Sequence, residues 1–118
     1  MIVTGLLIMI AAPAQTPPAV SPVRCRIAAD RMAQWTLLGQ GMIENLERRG
    51  VPAHRKEAYD AMVATIAVDE PLTIRMLERF EQTQPTKADE AAFGSPNPQQ
   101  MRALLQACDV PAASGGKG

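Results

Sequence analysis

The chain has 118 residues, with 12 Lys+Arg against 12 Asp+Glu, two cysteines, one histidine, one Trp, one Tyr and two Phe. That length holds one small domain. A formal charge of zero supplies no long-range field to collect nucleic acid or an acidic substrate, so neither is expected as a partner.

Residues 2–10 read IVTGLLIMI, and no charged side chain occurs before Arg24. The apolar run is too short for a membrane span, which needs roughly 20 apolar residues. It ends in Ala12-Pro13-Ala14, the small-x-small pattern that a signal peptidase cuts. Residues 1–14 are therefore expected to be a cleavable signal peptide, and the mature chain to be periplasmic or secreted. Residues 15–23, QTPPAVSPV, carry three prolines and read as an extended lead-in.

Export changes the reading of the cysteines, because an exported chain sits where disulfides persist. Cys25 and Cys108 permit one intramolecular pairing, across 83 positions. The chain-entropy model values such a closure at roughly 4.5 kcal/mol. A redox CxxC motif is absent, and His54 is the one histidine that could join the cysteines at a zinc site, so no metal or other cofactor is expected.

From Cys25 the pattern becomes helical. Cys25, Ala28, Met32, Trp35, Gly39, Met42 and Leu46 recur at three and four residues, widened by Leu38 and Ile43, and Gly50 provides the stop. Gly39 and Gly41 mark either a kink or a close helix approach. A second helix follows Pro52 and runs to about Val68, with Tyr59, Met62, Val63 and Ile66 as its buried stripe. Asp69-Glu70-Pro71 reads as its end and as the capped start of a third helix carrying Leu72, Met76, Leu77 and Phe80. Thr86 with Asp89 predicts a capping box for a short helix over 87–93, closed by Gly94. Asn97-Pro98 with Gln100 opens a last helix whose face is Met101, Leu104, Leu105 and Cys108. The expected fold is all-α: a small bundle of four or five short helices over residues 24–110, closed by the Cys25–Cys108 disulfide, with a disordered tail over 111–118.

No catalytic constellation emerges. The serines at 21, 95 and 114 fall in lead-in, loop and tail, away from any rigid element that could place them beside His54. Capping accounts for Asp69 and Glu70. A non-enzyme is expected. The most polarised stretch is Arg48, Arg49, His54, Arg55 and Lys56, a candidate patch for an anionic partner; the plainer alternative is a solvated turn whose arginines answer the helix dipole. Met32, Met42, Met62, Met76 and Met101 fall at core spacing, which reads as filling. Their soft thioethers also suit an adaptable apolar surface, or a small apolar ligand or soft metal in a Met-lined core. Gln106-Ala107-Cys108 resembles the run around the second cysteine of the small periplasmic acid-stress chaperones, which are likewise exported, all-helical and tied by one disulfide. That resemblance implies client binding. The functional expectation is an exported binding or interaction protein, chaperone-like or an inhibitor of a secreted enzyme, whose partner is another envelope protein.

Overall fold

The computed structural model describes residues 20–109; the expected signal peptide, residues 15–19 of the lead-in and the expected disordered tail lie outside them. Four α-helices and one 3-10 turn make up the described chain, with no strand among the described residues. They are α1 (Pro22–Arg49), the 3-10 turn (Ala53–Arg55), α2 (Lys56–Arg79), α3 (Lys87–Phe93) and α4 (Pro98–Cys108).

α1 begins inside the segment expected to be extended. Ser21 is its N-cap, accepting from the Arg24 amide at 3.2 Å, and Pro22 stands in the first turn, where its missing N–H breaks no bond. Gly50, at φ 89°, ends the helix in a conformation that favours glycine. α3 and α4 start as expected. Thr86 and Asp89 form one reciprocal capping box and Asn97 and Gln100 another.

The larger correction concerns Pro71. The second and third expected helices are one continuous helix of 24 residues, α2, with Pro71 inside it. Proline there removes the hydrogen bond to the Ala67 carbonyl and typically costs about 3 kcal/mol. Pro71 and Ala67 are both exposed, so water can satisfy that carbonyl. On the other side of the helix Asp69, Leu72, Thr73 and Met76 are all buried, and their packing holds the helix through the proline. Asp69 is thus no cap; it is a buried partner of α4. With α1 at 28 residues and α2 at 24, the bundle is built on two long helices rather than on short ones throughout.

α1 and α2 form an antiparallel hairpin. Its register is read from Arg26 against Phe80, Gly39 against Ile66, Gln40 against Glu70, and Glu47 against Tyr59. A Cβ built on Gly39 would stand 2.5 Å from Ile66 Cδ1, so this glycine marks a close helix approach, whereas Gly41 faces open space.

The core fills one end of this hairpin, the base. Cys25, Ile27, Ala28, Ala29 and Met32 of α1 meet Leu72 and Met76 of α2, Phe93 of α3, and Met101 and Leu105 of α4. The expected disulfide is present, joining Cys25 near the start of α1 to Cys108 at the end of α4 with Cα atoms 6.0 Å apart. Arginines then satisfy the carbonyls that helix ends leave over. Arg26 donates to Phe80 O at 3.0 Å and Glu81 O at 3.1 Å beyond α2, Arg31 to Gly94 O at 2.9 Å beyond α3, and Arg79 to Cys108 O at 2.9 Å on α4. Arg24 and Arg31 also lie over the Phe93 ring, 5.6 and 5.1 Å from its centroid.

Candidate functional site

The other end of the hairpin is open. Trp35, Leu38 and Met42, placed by their spacing on the buried face of α1, are 49, 64 and 54 % exposed. On α2, Val63 is exposed, and Tyr59, Met62 and Ile66 are only half-buried instead of forming the expected core stripe. Two lengths explain this: α3 has 7 residues and α4 has 11, too few to cover helices of 28 and 24. The heptad-like pattern of α1 continues past the point where the chain has anything left to lay on it.

A solvent-open groove of about 530 Å³ results, within the range of ligand sites. α1 gives it large side chains, Met32, Trp35, Leu38 and Met42. α2 gives it mostly small ones, Ala58, Ala61 and Thr65, with Met62 and Ile66 deeper toward the helix contact. The alanine wall is too shallow to close against the Trp and Met wall, so the groove stays unfilled.

Pro98 and Arg102 of α4, with Asp69 of α2, bound the groove at the base. Arg102 Nε donates to Asp69 Oδ1 at 2.6 Å and Nη2 to Oδ2 at 2.9 Å, a two-pronged pair with the Asp69 side chain only 5 % exposed. The hydrogen bond to Asp69 raises the Arg102 pKa above its ordinary value.

The basic stretch picked out in the sequence forms the opposite end, the tip. Arg48 and Arg49 end α1, His54 and Arg55 lie on the 3-10 turn, Lys56 starts α2, and all five are exposed. Lys56 pairs with Asp60 at 2.9 Å. Arg48, Arg49 and Arg55 have no carboxylate or carbonyl partner among the described residues, unlike the arginines that finish the helix ends of the base. Two acidic groups at this end are tied to neighbours: Asp60 to Lys56, and Glu47 to the Tyr59 hydroxyl, which donates to it at 2.5 Å. Hydrogen bonding to the Glu47 carboxylate raises the Tyr59 pKa above its ordinary value.

The methionines divide between the two ends. Met76 and Met101 are buried away from the groove, Met32 is buried at its edge, and Met42 and Met62 line its open part. Among the described residues no group of three or more His, Cys, Asp or Glu could hold a metal ion, and no helix is long and apolar enough to cross a membrane. Comparison with protein-family models, curated proteins and solved structures gives no match. Periodicity alone could not find the groove, because a stripe looks the same whether or not something covers it. The cue in the sequence was the shortness of the last two helices, legible once α2 is read as continuous.

Proposed function

We propose that this protein is an exported, non-enzymatic binding protein that takes an apolar part of its partner into the groove between α1 and α2. The observation that carries the reading is the open groove itself, with Trp35, Leu38 and Met42 held in water on a hairpin that is fixed at its other end. Isolated exposed apolar residues are ordinary, but a contiguous apolar groove marks an interaction site. Methionine in its walls suits a partner surface that varies, because the unbranched thioether repacks easily. Export rests on the signal-like residues 1–14 and is compatible with the disulfide.

Fluorescence tests the binding reading directly, because Trp35 is the one tryptophan of the chain and lies in the groove. Nile red, a neutral apolar dye, should bind saturably, shift Trp35 emission to the blue, and lose its affinity in Leu38→Glu and Met42→Glu without a fall in thermal midpoint. Dye binding that ignores both substitutions would refute the reading. Export is tested by the intact mass of the protein from its native host, which should begin at Gln15 and lack the two hydrogens lost in the bridge. A second reading, a carrier of a small apolar ligand, draws on the same groove and on Met42 and Met62. A co-purifying small molecule in the native mass spectrum would favour it.

A further inference from the structure

We infer that Met42 and Met62 are oxidation sites whose sulfoxides close the groove to apolar partners. This rests on the groove being a binding site, as proposed above, and adds how that site is regulated.

The described residues offer a two-electron oxidant few targets. Cys25 and Cys108 are joined to each other, and no free cysteine occurs among the described residues. With no thiol to meet, a hydroperoxide is left with the thioethers of methionine. Met1 and Met9 fall in the segment expected to be cleaved, outside the described residues. The fold sorts the other five. Met32, Met76 and Met101 are 1, 0 and 2 % exposed, so their sulfurs are shielded by the packing of the base. Met42 is 54 % exposed and Met62 is half-buried, and both line the open groove. A hydroperoxide must reach the sulfur to react, so exposure sets the order of attack.

The chemistry is one oxygen transfer. The methionine sulfur attacks a hydroperoxide oxygen, the O–O bond breaks, and an S–O bond forms. Sulfur loses two electrons, the peroxide gains them, and the departing oxygen leaves with the proton as water or an alcohol. A polar sulfoxide then stands where a flexible apolar side chain stood. It stands between the Trp35 and Leu38 wall and the Ala58 and Ala61 wall. Polar groups at the base end of the groove are already engaged. The Thr36 hydroxyl donates to Ala33 O at 3.0 Å, and the Arg102 guanidinium donates to Asp69. An apolar partner seated over the oxidised residues would bury their oxygens without those donors, which is costly. Binding therefore weakens. The base, whose methionines are shielded, keeps its packing.

The test treats the disulfide-bonded protein with hydrogen peroxide and maps the added oxygens by peptide mass. They should appear on Met42 first and Met62 next, before Met32, Met76 or Met101. At that stage Nile red should bind about tenfold more weakly, with the thermal midpoint nearly unchanged. Met42→Leu with Met62→Leu, whatever its starting affinity, should keep that affinity through the same treatment. Oxygen on Met32, Met76 or Met101 as early as on Met42 overturns the inference. So does a protein oxidised at Met42 and Met62 that binds Nile red undiminished, an outcome that leaves the binding reading standing. A double-leucine variant that loses affinity as the parent does also overturns it, by placing the damage at another residue. Failure of Nile red to bind the untreated protein removes both the binding reading and its regulation.

Discussion

The base and the tip of the hairpin are built from the same two helices and share one sequence pattern, yet they differ in almost every physical respect. At the base four helices meet, a disulfide ties the chain ends, and arginines 26, 31 and 79 bond helix-end carbonyls. At the tip two helices stand alone, Trp35, Leu38 and Met42 face water, and the side chains of Arg48, Arg49 and Arg55 have no hydrogen-bond or ion-pair partner among the described residues. The contrast shows that an apolar stripe and a basic residue are stabilising features only where a partner meets them. Where none does, the same residues are free to recognise something else. Stability should reside at the base and binding toward the tip, and that separation can be attacked experimentally.

The largest effect should come from the bridge. Replacing Cys25 and Cys108 with serine is expected to lower the unfolding free energy by about 4 kcal/mol, read by urea titration. A change of a few tenths would mean that the base does not depend on its staple. Methionine truncation draws the comparison more sharply. Met76→Ala, at a side chain with no exposure, should lose about 3 kcal/mol, whereas Met42→Ala should change stability by less than about 0.5 kcal/mol. Equal losses at the two sites would collapse the distinction between base and tip.

The pair at the boundary should give a smaller effect, of about 2 kcal/mol, for Arg102→Ala, which strands the buried Asp69 carboxylate. Asp69→Asn should lose less, because the partly exposed Arg102 can turn toward water. Thermal midpoints of the two variants check that order. The smallest effect is a titration at the tip. Tyr59 is the one tyrosine of the chain, so its near-ultraviolet absorbance reports a single phenol. Its bond to Glu47 needs the protonated phenol, so the native pKa lies above the ordinary value of about 10. The bond's contribution is therefore complete below that ordinary value and is lost as pH rises through the native one. Glu47→Gln should bring the midpoint back down.

Much of the helical frame was legible in the residues. Two capping boxes, the glycines after α1 and α3, and two cysteines on apolar stripes located the helix ends and the staple. Local chemistry governs those features, and local chemistry is written in adjacent residues. Ser21-Pro22 carried the same kind of signal for the start of α1, masked by the other prolines of the lead-in. Pro71 misled for a different reason: a proline disfavours helix locally, but burial of residues on both sides of it outweighed that preference. The roles of Arg26, Arg31 and Arg79 were also invisible, because each serves a carbonyl at least 29 positions away.

The candidate site divides along the same line. Its basic end was visible as a charge cluster in nine positions, and its apolar wall was visible as a stripe. That the stripe is uncovered depends on how far α4 reaches along α2, which the Asp69–Arg102 pair and the disulfide fix together. Neighbouring residues were enough to give helices throughout the described residues, the capping boxes of α3 and α4 and the one cysteine pairing, because helix propensity, capping and the cysteine count act on neighbours or on a single choice. The tertiary structure decided which apolar residues are core and which are surface. Burial is a property of the space that other segments leave unfilled, and no periodicity within one helix records it.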